Sequence, residues 1–319
     1  MRIDNLTYLV GGELKSRPAV TSVASIASDP SQVRRGDLFV ARNKEQIPAA
    51  LAQGAYGVLF EGWVQISDPE IAWIQVPSLT EAAQRLIRFQ LIRHRPAIYA
   101  LDPVTWDLAT EIIADQQVLF AGKDPFWDLQ SIQKQPPQTV IFDAKGYFGQ
   151  LALESEPIEP KPLRLHTSTL FESSILFEGH YFERAPISPL LLPHLQTILS
   201  IASERMLAYS LRHRPKSHLR PIFIDAGLGE VEFGASDRVI IHEPDYDFAK
   251  TLPARLKSLA PWARTLFVSD RELEGFGRYE GVEALKEILY NWPFQYLCLA
   301  GAEPPLEQIR KRRKEPSLF

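Results

Sequence analysis

The densest group of polar side chains able to do chemistry lies in the last third of the chain. His242 and Glu243 end an apolar run that begins after Arg238, and Asp245 and Asp247 follow directly. Imidazole and carboxylate groups transfer protons and bind ligands in many proteins. Open α/β sheets bind ligands outside the carboxyl ends of their strands. We therefore expect a polar cluster at a strand end, with capping and turn formation as its first roles and ligand binding as the alternative.

Two glycine-containing turns have part of the pattern of a phosphate-binding loop. The turn at Ala121–Pro125 follows a strand and contains Gly-Lys, but it lacks the first glycine and the Ser or Thr of such a loop. The turn at Asp225–Glu230 contains Gly-x-Gly, but a third glycine and a following helix are missing. The next residues, 231–233, alternate like a strand instead. The sequence therefore predicts a surface turn at the first position and a hairpin at the second.

The remaining reactive residues form no recognisable catalytic or metal-binding pattern. His166, His180 and His194 have no metal-ligand spacing with one another or with the single cysteine, Cys298. Cys298 lies in an apolar strand, which predicts a buried thiol. Five consecutive basic residues at 310–314 are expected to form the solvated end of a helix, where cations complement the helix dipole. Contact with acidic lipid or nucleic acid is the alternative for this run.

Composition limits the class of protein. The chain has 319 residues, of which 45% are hydrophobic and 23% are charged, as in ordinary globular proteins. The 35 basic and 39 acidic residues give a net charge of -4, which does not favour a nucleic-acid partner. One cysteine excludes an internal disulfide. The sequence shows neither a secretory signal nor an apolar run long enough for a membrane helix, so we expect a cytoplasmic protein without a transmembrane segment.

The order of the elements that must position these residues predicts an α/β protein of three domains. The first, 1–95, alternates strands and helices, and its last helix has a candidate N-cap at Thr80. The second, 96–218, ends with a long helix over 190–211, and the third, 219–319, has the βαβαβα order of a Rossmann-like sheet. Predicted strands lie at 37–41, 57–61, 72–77, 97–101, 118–121, 139–143, 221–225, 238–242, 265–270 and 295–300. Further predicted helices lie at 47–53, 80–91, 105–115, 248–259, 281–291 and 304–314.

The N-terminal segment Ile26–Ala41 resembles the first domain of the Mur ligases, in particular their MurF- and MurE-like members. That domain carries a similar Asp-Ser-Arg, then Val, then Gly-Asp-Leu-Phe-Val-Ala, and here the corresponding residues are Asp29-Pro30-Ser31, Val33 and Gly36–Ala41. Mur ligases add the amino acids of the peptide stem of peptidoglycan precursors. Because the motif lies near the uridine nucleotide in that family, the resemblance implies a ligand-binding position at Ser28, Asp29 and Ser31.

The C-terminal block resembles the last domain of the same family. Ile241–Tyr246 stands where MurF-like proteins have Asp-Asp-x-Tyr-Asn-Ala-Asn-Pro, and Phe267–Asp270 resembles their Leu-Gly-Asp element. Leu299–Gly301 resembles the end of their last strand. The resemblance implies a three-domain Mur-ligase-like fold with a reduced central domain and a Rossmann-like C-terminal domain. It also implies ligand-binding positions at His242, Glu243, Asp245 and Asp270.

The residues that carry ATP chemistry in this family are replaced here. A Mur ligase has Gly-x-x-Gly-Lys-Thr between its first central strand and helix, where backbone N–H groups, the lysine and the threonine hold the phosphates and Mg²⁺. At that position this chain has a segment without glycine or lysine. The segment consists of Asp102, Pro103, Val104, Thr105, Trp106 and Asp107. Proline removes a backbone donor, and the two aspartates bring negative charge to a place for a triphosphate.

The expected function follows from this replacement. We expect a pseudoenzyme: a non-catalytic Mur ligase homologue with a degenerate phosphate loop, and with a binding or scaffold role in peptidoglycan precursor synthesis. It would have no catalytic residues, no metal and no cofactor, and its partner would be a peptidoglycan precursor or another Mur enzyme. The alternative is an active amide ligase, MurF- or MurE-like, which would use ATP and Mg²⁺ at an atypical nucleotide site.

Overall fold

The computed structural model describes residues 1–134, 140–144, 146–151 and 153–309, and the basic run 310–314 lies outside them. Packing divides the chain into two compact units. Unit 1 comprises Met1–Asp102 and Gln116–Pro157, and unit 2 comprises Pro103–Asp115 and the residues from Ile158 onward. The three-domain division at residues 95 and 218 stays a prediction, since the units group segments by packing alone.

The first sheet of unit 1 has five strands in the order β1-β5-β4-β3-β2. Only the pairing of β1 with β5 is antiparallel. The strands are β1 (Glu13–Leu14), β2 (Ile26–Ala27), β3 (Leu38–Val40), β4 (Gly57–Glu61) and β5 (Ala72–Val76). The helices around them are α1 (Ile3–Val10), α2 (Ile47–Ala52) and α3 (Leu79–His94), with 3₁₀ turns at Pro30–Gln32 and Lys44–Gln46. The three strands predicted in this block are confirmed.

Helix α3 begins two residues earlier than the sequence predicted. Its N-cap is Ser78, whose Oγ accepts a hydrogen bond from the backbone N–H of Glu81, so the prediction of Thr80 was wrong. The carboxylate of Glu61 accepts a second bond from the N–H of Leu79, the first helical residue. Ser78 is the better cap because its extended backbone lets the hydroxyl face the free N–H groups of the first turn.

The second sheet of unit 1 is parallel, with the order β6-β8-β7. Its strands are β6 (Ala97–Leu101), β7 (Val118–Ala121) and β8 (Val140–Ala144). The helix that follows β6 is α4 (Pro103–Ile112), which packs as part of unit 2. Helices α5 (Pro125–Lys134) and α6 (Tyr147–Gln150) remain in unit 1. The core of unit 1 extends over both sheets and includes Leu6, Leu86, Leu129 and Ile141.

Unit 2 contains an antiparallel meander in the order β11-β10-β9, which the sequence indicated only as short strand-like pieces. Its strands are β9 (Leu163–Ser168), β10 (Ser173–Phe177) and β11 (His180–Ala185), and the helix α7 (Leu192–Arg205) follows. The predicted helix over 190–211 was too long. The helix ends because Met206 adopts a left-handed conformation with φ 53° and its N–H bonds back to the last turn.

The second sheet of unit 2 has six strands in the order β13-β12-β14-β17-β15-β16. These are β12 (Arg220–Ile224), β13 (Glu230–Val231), β14 (Val239–Glu243), β15 (Thr265–Ser269), β16 (Gly277–Arg278) and β17 (Tyr296–Ala300). Strands β14, β15, β16 and β17 are parallel, and β12 pairs antiparallel with β13 and β14. The hairpin predicted at Asp225–Glu230 is confirmed: the Asp225 side chain accepts hydrogen bonds from the N–H groups of Gly227 and Gly229.

The helices of this part are α8 (Tyr246–Ala249), α9 (Leu252–Leu259), α10 (Gly281–Asn291) and α11 (Leu306–Ile309). The single helix predicted over 248–259 is wrong, because Pro253 has no N–H to continue a helical hydrogen bond and starts a new helix instead. Cys298 is fully buried in β17, as predicted. The structure therefore confirms the mixed α/β class.

Candidate functional site

The polar residues predicted in the last third of the chain lie at one edge of the six-stranded sheet. The parallel strands β14, β17 and β15 end in register, with Glu243 opposite Ala300 and Ser269 opposite the same residue. His242, Glu243 and Asp245 follow from β14, and Asp270 follows from β15. This is the carboxyl edge at which α/β sheets bind ligands, so the predicted position of His242, Glu243 and Asp245 at a strand end is correct, while ligand binding by these residues and by Asp270 stays a prediction.

Glu243 is fully buried at this edge and has its hydrogen bonds satisfied by protein groups. His218 Nδ1 lies 2.7 Å from Oε1, and the N–H groups of Asp245 and Leu219 donate at 2.9 and 3.1 Å. A carboxylate held by three donors in a buried place is a structural anchor. It ties the segment before β12 to the start of α8, and it offers no free oxygen to a ligand.

His218, which the sequence did not single out, is the charged partner of Glu243. Its ring is buried, and its Nε2 lies 3.5 Å from Oδ2 of Asp107. Burial alone would lower the pKa of His218, but the hydrogen bond and charge of Glu243, with the charges of Asp107 and Asp245, raise it above its usual value. The His218 ring thus lies between two carboxylates and joins α4 to the six-stranded sheet within unit 2.

The other two histidines near α4 have clear partners as well. His242 Nε2 lies 2.9 Å from the carbonyl oxygen of Gly301, and since a carbonyl only accepts, that nitrogen carries a proton. His194 Nδ1 lies 2.8 Å from the hydroxyl of Thr105. Both histidines are therefore tied to neighbouring elements of the fold.

Asp245 and Asp270 differ in their roles. Asp245 is the N-cap of α8 and accepts from the N–H of Phe248 at 2.9 Å, which confirms the predicted capping role. Asp270 is partly exposed and accepts from the Tyr246 hydroxyl at 2.8 Å and from the N–H of Ala302 at 3.1 Å. Burial and the bond to Asp270 raise the pKa of Tyr246. Asp270 and Tyr246 therefore form the accessible polar rim of this edge.

The predicted position in unit 1 lies beside an open cavity of about 510 Å³. Asp29 caps the 3₁₀ turn at Pro30–Gln32 by accepting from the N–H and the hydroxyl of Ser31, and these bonds lower its pKa. Ser31 lines the cavity, together with Arg34. The remaining lining residues are Ser25, Ile26, Ala27, Gln32, Val33, Asp37 and Gln130. Ser28 and Asp29 are not among the lining residues.

Residues 103–107 form the first turns of α4, and Asp102 precedes the helix on the surface. The side chains of Val104, Thr105 and Trp106 are buried, the tryptophan to 8% exposure. Farther along α4, the Glu111 carboxylate accepts from the N–H groups of Lys216 and Ser217, both at 2.8 Å. Side chains of α4 thus contact other segments of unit 2 along much of its length.

The predicted surface turn at Ala121–Pro125 holds an unpredicted pair of buried carboxyl groups. The N–H of Gly122 donates to Asp128 at 2.9 Å, and Asp143 at the end of β8 is as fully buried as Asp128. Asp128 lies on α5, a helix that was not predicted, although Phe126, Leu129 and Ile132 recur every third residue. That spacing was the available signal for a helix with Asp128 beside its buried face.

Comparison with known proteins gives the fold. No protein-family model matches the chain, and no curated protein matches it either. Among solved structures, MurF from Acinetobacter baumannii superimposes with a TM-score of 0.56 at 9% identity, over 97% of both chains. MurF from Thermotoga maritima in complex with ADP gives a TM-score of 0.53 at 10% identity, over 90% of this chain and 96% of that one.

The chain has a Mur ligase-like fold. This confirms the resemblance stated from Ile26–Ala41 and from the C-terminal strands at the level of fold. Within this Mur ligase-like fold, the described residues include no group of three or more His, Cys, Asp or Glu side chains able to hold a metal ion. Across the same residues, the helices lack the length and apolar character needed to span a membrane.

Proposed function

We propose that this chain is a non-catalytic Mur ligase homologue that binds a peptidoglycan precursor or a Mur enzyme and acts in precursor synthesis without hydrolysing ATP. The observation that carries the proposal is the composition of the first turns of α4. In this chain its first turns contain proline, a buried tryptophan and an aspartate in place of the glycines, lysine and threonine of a phosphate loop.

The side chains of α4 support this proposal because they have other partners. A phosphate loop needs free backbone N–H groups and a cation directed at the ligand. Here Thr105 contacts His194, and Asp107 lies 3.5 Å from His218. Pro103 contributes no N–H, and Asp107 brings a negative charge that would repel a triphosphate. The helix therefore has the contacts of a structural element.

The binding half of the proposal rests on the cavity beside Ser31. It has a volume of about 510 Å³, within the range of small-molecule pockets, and its lining combines hydroxyl, amide, guanidinium and carboxylate groups. It lies in the segment whose sequence resembles the nucleotide-side region of the Mur ligases. We propose that the uridine-nucleotide end of a precursor binds here, with the Arg34 guanidinium available to its phosphates.

The first test is equilibrium binding of Mg-ATP to the full chain, measured by calorimetry. We expect no saturable binding up to millimolar ATP. Micromolar affinity would refute the non-catalytic proposal and support an active amide ligase with an unusual nucleotide site. A ligase assay with precursor, amino acid or dipeptide, and ATP then distinguishes a turning-over enzyme from an ATP-binding regulator.

The second test is thermal stabilisation by UDP-MurNAc-peptides. A ligand present at 100 times its dissociation constant adds about 2.7 kcal/mol to the free energy of unfolding, which is a readily measured shift. Arg34→Ala should reduce the shift, because Arg34 lines the cavity. Arg35→Ala is the matched control, since its Nε bonds Tyr56 and it is not among the lining residues. Equal shifts in both variants and the unaltered protein would place precursor binding elsewhere.

A further inference from the structure

Two buried carboxyl groups of unit 1 meet where two parallel strands end. Asp143 lies near the end of β8, and Asp128 lies on α5, directly beyond the turn that follows β7. Both residues are 0% exposed. Ionised carboxylates are seldom buried this fully unless a cation or several hydrogen-bond donors accompany them.

Each carboxyl group has one oxygen with a donor and one without. Oδ2 of Asp128 accepts from the N–H of Gly122, and Oδ2 of Asp143 accepts from the N–H of Phe148, both at 2.9 Å. The Oδ1 atoms of both are buried, and no hydrogen-bond partner reaches either of them within the described part of the chain. A protonated carboxyl group is neutral and carries its own donor. An ionised one would be a buried negative charge without a counter-charge.

Gly122 brings the two carboxyl groups together. Its backbone has φ +98°, and a Cβ on it would come within 3.0 Å of both Asp143 Oδ1 and the N–H nitrogen of Ala144. The same residue donates its N–H to Asp128. One glycine thus contacts both carboxyl groups, and a side chain at this position would enter the space that Asp143 Oδ1 occupies.

The turn beside the pair carries the carboxylate of Asp124, which raises the pKa of Asp128, and the exposed cation Lys123. Asp124 lies in the same turn and Tyr147 on α6, where its buried hydroxyl faces Gln84 of α3. Arg42, a cation of the same unit, pairs with Asp124 at 3.2 Å. Among the described residues, no Lys, Arg or His side chain forms an ion pair or hydrogen bond with Asp128 or Asp143.

We propose that the buried Asp128, beside Asp143, stays partly protonated at neutral pH and that loss of this proton at higher pH loosens the α5–β8 region of unit 1. Burial is the main cause that raises the pKa of Asp128 to about 7 and that of Asp143 to about 6, and for Asp128 the charges of Asp124 and Asp143 add to it. In the unfolded chain, both groups ionise near pH 3.8. The folded chain therefore binds more protons, and it loses stability as the pH rises from about 4 to about 7.

The test is the pH dependence of chemical unfolding, with hydrogen exchange of peptides from α5 and β8 as the local readout. From pH 5 to pH 8, the unfolding equilibrium constant of the unaltered protein should rise by roughly 10- to 100-fold through Asp128. Asp128→Asn should remove most of this rise, because the amide is neutral and supplies a permanent donor. Asp4→Asn, which removes an exposed carboxylate of the same unit, should preserve it. An unchanged pH profile in both Asp128→Asn and Asp143→Asn overturns the proposal.

Two further measurements use the unaltered protein and do not depend on a variant that folds. Carbon-13 NMR of the aspartate carboxyl groups should show two titrations with midpoints above pH 5.5, and midpoints all below pH 5 would overturn the proposal. Unfolding at pH 8 in sodium, potassium, ammonium or magnesium chloride at one ionic strength should give the same stability. If one cation restores stability in the unaltered protein but not in Asp128→Asn, then a bound cation and not a proton neutralises the pair, and the proposal is overturned.

Discussion

The two units of this chain bury carboxyl groups in opposite ways. In unit 2, Glu243 has the ring of His218 and two backbone N–H groups on its oxygens. In unit 1, backbone N–H groups reach Asp128 from Gly122 and Asp143 from Phe148 and Tyr147, but Oδ1 of each acid lacks a donor. Equal burial therefore does not mean equal chemistry. The first arrangement gives both carboxylate oxygens a donor, whereas the second leaves one oxygen of each acid without a donor, and burial raises the pKa of both acids.

This difference indicates where each unit can respond to its surroundings. Both oxygens of Glu243 have donors, and of the His218 ring only Nε2, 3.5 Å from Asp107 Oδ2, has no hydrogen bond within the described residues. The Asp128–Asp143 pair retains unused capacity, and such groups change state when a proton or another donor is offered.

Glu243→Ala should cause the largest loss of stability. It leaves a buried imidazolium and two N–H groups without their acceptor, and breaking a buried ion pair in this way typically costs about 3–5 kcal/mol. Urea unfolding at pH 7 measures the loss. At pH 8, Asp128→Asn should change stability in the opposite direction, since it removes an unpaired buried charge. A loss below about 1 kcal/mol for Glu243→Ala would contradict the anchoring role.

His218→Gln should cost about 2–3 kcal/mol at pH 6 and less at pH 9, because the amide keeps a donor for Glu243 but loses the charge. The folded pKa of His218 is raised above 6.5, so its stabilisation is complete below about pH 6.5 and is lost as the pH rises through the folded pKa. Hydrogen exchange of β14 peptides against pH measures it, and His166→Gln, an exposed histidine of unit 2, is the control.

The two arrangements were not equally accessible from the sequence. Glu243 and Asp245 were identified because they directly follow an apolar strand, and strand ends at a parallel edge are predictable. His218 was missed because its bond to Glu243 joins residues 25 positions apart, and no local pattern indicates such a pairing. The boundaries of α10 and β17 follow from strong periodicity and were predicted to within a residue.

The buried pair of unit 1 depended on an element that the sequence did not reveal. Helix α5 begins with Pro125 directly after a turn, and the Gly-Lys dipeptide before it drew attention to phosphate chemistry. Because this helix was not predicted, the sequence offered no reason to expect that Asp128 is buried, and Asp143 was identified only as the end of a strand. The segment 102–107 is the reverse case, since the sequence alone drew the comparison with a phosphate loop, and only the structure shows the contacts that α4 makes.

Gly122→Ala should destabilise unit 1 by about 1–3 kcal/mol. The variant strains a backbone with φ +98° and places a methyl group 3.0 Å from Asp143 Oδ1 and Ala144 N, which must then shift. Gly179→Ala is a matched control, since that glycine has φ +82° but open space around it, so only the backbone strain of about 1 kcal/mol remains. Thermal unfolding measures both variants. Equal losses would mean that the Asp143 side chain can shift away from the new methyl group without further loss of stability, so that its position is not rigidly fixed.

Asp107→Asn should have the smallest effect, about 0.5 kcal/mol or less near pH 7. Its side chain is 37% exposed and lies 3.5 Å from His218 Nε2, so solvent screens much of the attraction. The direction is nevertheless informative, because Asp107 is one of the charges that raise the pKa of His218. Proton NMR titration of the His218 ring should therefore show a lower midpoint in the variant, with the ring still bonded to Glu243. An unchanged midpoint would mean that Asp107 does not influence the His218 ring and that α4 is not coupled electrostatically to the Glu243 anchor.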